Sequence, residues 1–366
     1  MKKLLSLLLA LVLIFAVPGC GSGGAEADES VEAAETTLVT TEPATEAPPA
    51  NGWEFDTPEN HGMDGALLAR FHEAIGTTDV TSIVIVKNGY IVDEYYKGEF
   101  DEDSVFRFNS CTKSFTSALI GIAVEEGLIR GIDTRIAEYF PQIDESGSAY
   151  QKEITIRHLL EHTAGMDWPE WGGSIWRPFV SAENWVDFIL ARPMAARPGA
   201  VFNYSTGGSH LLAAILEQAC GTTARDYMFE RLLDPLGIES AELRADPQGV
   251  MDGGNGLSMT ARDAAKFGQL YLERGMWRGR QIVPEAWVAQ STKRHSAGYA
   301  SFGQYGYQWW VKTFGEYSAY FAQGHGGQYI IVVPALELVT VMTSRAGTNG
   351  AAPQRYFSDY VLAACG

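Results

Sequence analysis

The sequence predicts a mixed α/β (α+β) fold: an antiparallel sheet built from both chain ends, flanked by helices, with a helical subdomain between. Three observations predict it. Residues 81–98, TSIVIVKNGYIVDEYYKG, are two β-rich runs around Asn88-Gly89, a strong hairpin signal. Residues 328–344, QYIIVVPALELVTVMTS, repeat that design around Pro334-Ala335-Leu336-Glu337. Between them HLLEHTAG, SAENWVDFILARP, SHLLAAILEQACG, DYMFERLLDPLG and TARDAAKFGQLYLERG show helix periodicity with Gly or Pro stops. Strands at both ends around a long helical middle suggest a sheet completed by the two chain ends, with a helical subdomain covering one face. No internal repeat is evident.

The chain has 366 residues, 46% apolar and 20% charged, an ordinary globular composition with a real core. Its net charge of -18 argues against nucleic acid, whose phosphates it would repel. Lys2-Lys3 precede LLSLLLALVLIFAV, a basic start and an apolar run too short for a comfortable membrane span. The run ends in Val17-Pro18-Gly19-Cys20, which resembles a bacterial lipoprotein signal with Cys20 as the lipidated new N-terminus. Pro18 is unusual in such a box, so ordinary secretory cleavage nearby stays open. Either way the expected location is extracytoplasmic, with the membrane contacted by a lipid anchor only. Residues 21–50 carry seven acids and no Lys or Arg, too little apolar content to fold, and are expected to form a solvated linker. The expected organisation is a signal over 1–20, an acidic linker over 21–52 and one folded domain over 53–366. With the two lysines and the seven acids set aside, residues 51–366 still carry -13.

Beyond Cys20 the chain has Cys111, Cys220 and Cys365, an odd number without metal-like spacing, and a Cys220–Cys365 bridge cannot be decided from sequence. His158-Leu159-Leu160-Glu161-His162 matches the H-x-x-E-H signature of one zinc-protease class. No third ligand is identifiable and the stretch ends at a Gly-bearing turn, so no metal is expected.

The chemistry is expected at Ser110-Cys111-Thr112-Lys113, at the mouth of the helix SFTSALIGIAVEEGLI. A serine hydroxyl is a poor nucleophile until a base takes its proton. A lysine three residues on shares its helix face, about 5–6 Å away between β-carbons. Burial can lower the lysine pKa enough to make it that base, and the helix N-terminus adds positive potential where an oxyanion forms. Cys111 points about 100° away from Ser110, toward the core. Alone, S-x-x-K is a weak signal.

Its context strengthens it. The order of motifs resembles the serine β-lactamase and penicillin-binding-protein superfamily, class C-like, and within it the branch containing 6-aminohexanoate-dimer hydrolase and related esterases. Ser110-x-x-Lys113 stands as the first element. Tyr204-Ser205-Thr206 stands as the Y-x-N element, with Thr206 where asparagine is expected. His325-Gly326-Gly327, just before QYIIVV, takes the place of the K-T-G triplet. IRHLLEHTAGM, GGNGLSMTARDAAKFGQLYL and YGYQWWV agree, and the likeness covers about residues 53 to 366.

The resemblance implies a β-lactamase-like fold, no cofactor and a set of roles. Ser110 is the acylated nucleophile. Lys113 and Tyr204 share the proton work, the lysine holding the phenol near its anionic form. The backbone N–H groups of Ser110 and Gln328 make the oxyanion hole. Thr206, His325, Gly326 and Gly327 contact substrate. The loop WPEWGGSIWRPF, with three tryptophans, is expected to shape a pocket for an apolar or flat ligand. Because His325 replaces a fixed positive charge and Gly326 has no hydroxyl, carboxylate-bearing β-lactams should be poor substrates beside short esters or linear amides. A small ester, amide or peptide is the expected partner. A β-lactamase or D-Ala-D-Ala carboxypeptidase, or a non-catalytic lipoprotein that binds peptidoglycan fragments, are the alternatives.

Overall fold

Both predicted hairpins form. The computed structural model of the chain describes residues 52–345 and 352–366, so the expected signal, Cys20 and nearly all of the acidic linker lie outside the described residues. Asn88 and Gly89 take φ of 53° and 85°, as a tight turn with two left-handed residues requires, and join Val80–Lys87 to Tyr90–Tyr96. Gln328–Val333 and Leu338–Ser344 make the second hairpin, with Glu337 at φ 46° in its turn.

Val80–Lys87 then pairs antiparallel with Leu338–Ser344, with Leu338 opposite Lys87 and Ser344 opposite Val80. The two chain ends thus meet in the middle of the sheet. On one side Tyr90–Tyr96 and the short Glu54–Phe55, the latter pairing parallel, complete it. On the other side Tyr317–Gly324, Trp310–Phe314, Gly303–Tyr305 and Ser296–Tyr299 follow in that order, giving nine strands among the described residues.

The central strands are buried along their length except at Lys87, so side chains alternate between two apolar layers rather than between core and water. Val84, Val86, Ile330, Val332, Val339 and Val341 face one layer, shared with Leu119 and Phe267. Ile83, Ile85, Ile331, Val333 and Met342 face the other, against Leu68, Phe71 and Ile75 of the helix Gly65–Ile75 and Phe357 and Val361 near the C-terminus. Helices therefore cover both faces, where the sequence had suggested one. The helix Ala261–Leu272 lies close on the sheet because Gly268 has no side chain: a Cβ there would sit 2.4 Å from Val339 Cγ1.

The helix Thr112–Glu125 is enclosed by this arrangement. Phe115 stacks on Phe267 with ring centroids 3.6 Å apart. Ser114 donates to the Gln308 carbonyl at 2.7 Å, and Thr116 to that of Gly253 at 2.8 Å. Gln308 ties the same region to the helical middle, its amide donating to the carbonyls of Leu159 and Leu160 at 3.0 Å each. The N-terminus of this helix is consequently a fixed point.

Candidate active site

Ser110 lies in a short 3-10 turn, Asn109–Cys111, that feeds the helix Thr112–Glu125. Asn109 has φ 50°, an unusual angle for a residue with a side chain, and two contacts hold it there. Its amide donates to the His325 carbonyl at 2.7 Å, and its own carbonyl accepts from the Thr112 hydroxyl at 2.6 Å. A Cβ on Gly324 would meet the Phe108 carbonyl at 2.1 Å, so glycine alone lets the sheet press against the serine turn. Sheet and helix end are thereby held together at Ser110.

Lys113 is 1% exposed and donates three hydrogen bonds: to Ser110 Oγ at 3.0 Å, Thr206 Oγ1 at 2.9 Å and the Gly254 carbonyl at 2.7 Å. Burial lowers its pKa to about 8, while Glu170 and Asp252 pull it back up. An amine so placed exchanges its proton in the neutral range.

Tyr204 is 4% exposed and its phenol reaches Ser110. Its ring lies between Trp310 and Trp171, stacked on both, and Lys113 Nζ sits over its face, 4.9 Å from the centroid. Burial, then the charge of Glu170, push the pKa of the phenol above its usual value, and the hydrogen bond with Ser110 acts against them.

Thr206 takes a place the sequence did not suggest. It is 0% exposed, accepts from Lys113 and donates to Glu170 Oε1 at 2.7 Å, so it stands behind the lysine and does not itself line the cleft. Ser205 caps the helix Thr206–Cys220, which aims that hydroxyl. Glu170, missed from sequence, is 7% exposed. Its other oxygen accepts from Trp168 Nε1 at 2.6 Å and the Thr206 N–H at 2.9 Å.

The cleft over Ser110 has a volume of about 780 Å³. His325, Gly326 and Gln328 line it, whereas Gly327 does not. Gln328 opens its strand, and its side chain fixes that end, donating to the Ser344 carbonyl at 2.7 Å and accepting from the Ser344 N–H at 3.2 Å. The tryptophan loop divides: Trp171 and Trp176 line the cleft, while Trp168 is 1% exposed and holds Glu170. Arg107, which sequence reasoning passed over, lines it as well.

The side features are structural. Cys111 is fully buried beneath the Gln328 carbonyl, which its thiol meets at 3.7 Å, and burial pushes its pKa up. Cys111, Cys220 and Cys365 are free thiols. His158 Nδ1 accepts from the Thr155 N–H at 3.1 Å as part of a helix cap. His162 Nδ1 accepts from Ser205 N–H at 3.3 Å, and burial holds this imidazole neutral against Tyr204. The two histidines of H-x-x-E-H thus serve separate backbones.

A profile of the Beta-lactamase family matches residues 66–363. The chain belongs to that family. Among curated relatives it is 26% identical over 292 residues to penicillin-binding protein 4 of Amycolatopsis lactamdurans, covering 70% of this chain and 75% of that one. It is 23% identical over 300 residues to the 6-aminohexanoate-dimer hydrolase of Paenarthrobacter ureafaciens, covering 76% and 75%. Among solved structures, EstCE1, described as a hydrolase with promiscuous acyltransferase activity, superposes with a TM-score of 0.70 at 18% identity over 82% of this chain and 98% of that one. At that identity the likeness is one of fold.

Proposed function

We propose that this β-lactamase-family protein is a serine hydrolase that cleaves ester or linear amide bonds through an acyl-enzyme on Ser110. The observation that carries the reading is the buried amine of Lys113, with a depressed pKa, 3.0 Å from the half-buried Ser110 hydroxyl. A module that only binds has no use for such an amine. Neutral Lys113 takes the Ser110 proton as Oγ bonds to the substrate carbonyl carbon, and the resulting oxyanion is received by the N–H groups of Ser110 and Gln328. As the tetrahedral centre collapses, the bond to the leaving oxygen or nitrogen breaks. The Tyr204 phenol donates its proton to that atom, and the lysine ammonium reprotonates the phenol. Water then attacks the acyl carbon by the same route in reverse, freeing the acid and Ser110.

Esters and linear amides fit better than β-lactams. A β-lactam holds a carboxylate rigidly beside its scissile nitrogen, where the family's triplet lies, and His325-Gly326 brings neither a fixed cation nor a hydroxyl there. The 6-aminohexanoate-dimer hydrolase relative supports a linear amide. The basic start, apolar run and Cys20 support an extracytoplasmic, lipid-anchored enzyme. Intact mass spectrometry after a slow acyl donor should show one adduct, on the peptide carrying Ser110, and Ser110→Ala should lose both adduct and turnover. An alanine variant that keeps more than a few per cent of activity refutes the nucleophile. Comparison of kcat/KM for p-nitrophenyl butyrate and nitrocefin tests the substrate class: the ester should be well ahead.

A further inference from the structure

The cleft has two unlike sides, built by different parts of the chain. Trp171 from the loop, Phe302 from the outer hairpin and Trp310 from its strand form one aromatic wall, Trp171 stacked on Phe302 with centroids 5.9 Å apart and Trp310 tilted against Phe302 at 5.3 Å. The other side comes from the short strand Val105–Arg107, whose Arg107 pairs with Ser258 across a small separate sheet, and from the adjoining Asn255.

Arg107 is exposed in the cleft, and its side chain makes no hydrogen bond or ion pair among the described residues. Asp252, a nearby carboxylate, is already committed: it is 2% exposed, accepts from Arg244 at 2.9 Å and from the Gly254 N–H at 3.2 Å. Partial burial and the neighbouring charge of Arg244 lower the Arg107 pKa from its usual value, while the charge of Asp252 acts against them. The chain is otherwise acidic, with -13 on residues 51–366, and Arg130, Arg157, Arg192, Arg197 and Arg262 each have a carboxylate partner. Arg107 stands three residues before Ser110, which keeps the two Cα atoms within about 11 Å.

Resting on the hydrolase reading, we propose that the natural substrate carries a carboxylate on a flexible arm, gripped by Arg107, and lays its apolar part on the Trp171–Phe302–Trp310 wall. A guanidinium presents paired N–H donors in a plane, a match for the two oxygens of a carboxylate. The chain's acidity favours this single charge over the double charge of a phosphate. A flexible arm also separates such a substrate from a β-lactam, whose carboxylate is fixed in the ring.

Two matched pairs test it by binding, with turnover kept apart. In the Ser110→Ala protein, calorimetry would compare glutaric monoanilide with its methyl ester, charge on the acyl arm, and 3-(butyrylamino)benzoate with its methyl ester, charge on the leaving arm. In at least one pair the free acid should bind more tightly, and that preference should weaken with added salt. Adding Arg107→Gln should reduce the preference by about ten- to a hundredfold, the usual worth of a charge-assisted hydrogen bond. Arg107→Lys should keep part of it, and Arg280→Gln, on a distant hairpin, serves as the control for generic charge loss. An acid-over-ester preference that stays within about twofold in Arg107→Gln overturns the proposal, as does a preference for the methyl ester in both pairs. Hydrolysis of the corresponding phenyl esters by the unmodified protein is read separately. Carboxylate binding without Ser110 acylation would sustain the subsite and refute the hydrolase.

Discussion

Replacing Glu170 by glutamine should move the working pH of the site downward. The carboxylate is joined to Lys113 through the Thr206 hydroxyl by bonds of 2.7 and 2.9 Å, so the nearest carboxylate oxygen lies no more than 5.6 Å from the amine. At an effective dielectric constant of about 20 and that separation, a full charge is worth about 3 kcal/mol, or about two pK units. Solvent screening in the cleft reduces this, leaving an expected shift of about one to two units. The sign follows from the role of the carboxylate, which favours the ammonium; without it the amine loses its proton more readily. The other groups facing Lys113 are Cys111, the Tyr204 ring and neutral His162, and none takes over that charge. Glutamine also preserves the shape of the site, since its carbonyl can still accept from Trp168 and the Thr206 N–H. If kcat/KM requires neutral Lys113, it should rise with pH through about 8 in the unmodified protein. In Glu170→Gln the same rise should appear near pH 6 to 7, roughly. The assay is the pH profile for an uncharged p-nitrophenyl ester, corrected for spontaneous hydrolysis, with circular dichroism confirming fold at each end. A rise that stays put, or moves to higher pH, would show that Lys113 is not the base or that Glu170 is not its counter-charge.

Lys113→Ala and Tyr204→Phe should each lower kcat by roughly 10²–10⁴-fold, and the double variant should fall well short of the product, because the two groups serve one proton path. Normal kinetics in Tyr204→Phe would reduce that residue to a buried ring between two tryptophans. Gly268→Ala should destabilise the fold by about 1–3 kcal/mol, because its Cβ would overlap Val339, whose branched side chain has little room to turn. A melting temperature equal to or above that of the unmodified protein would contradict the packing described for this helix.

The two hairpins were legible because Asn-Gly and Pro-Ala-Leu-Glu impose local backbone angles that need no tertiary help. Ser110 and Lys113 were legible because helix geometry alone puts residues three apart on one face. The outermost strands, residues 296–305, escaped notice: they are short, broken by Gly298 and Gly303, and rich in aromatics that could as well fill a loop. The helix expected over HLLEHTAG stops after Ile156–Leu160, because His162 turns to φ 56° and Gly165 to φ 80°. Glu170 could not have been found by spacing, since it precedes Thr206 by 36 positions and meets it only when the loop folds back. Thr206 was assigned to substrate on motif order, yet its place at the first turn of a buried helix commits its hydroxyl to Lys113. Arg107 carries no motif; strand pairing places it.

The pairing of Val80–Lys87 with Leu338–Ser344 has a consequence for the order of events during synthesis. A chain made from its N-terminus exposes the first hairpin long before its partner exists, and more than two hundred residues must follow before that edge is covered. Contacts so distant in sequence close slowly and together, which leaves the nascent chain without a finished sheet until its last strands are released. The helix bearing Ser110 packs on that sheet, so a truncated product carries the serine and lysine without the surface that confines them. Such a product therefore lacks the close contact by which Gly324 brings the sheet onto the serine turn.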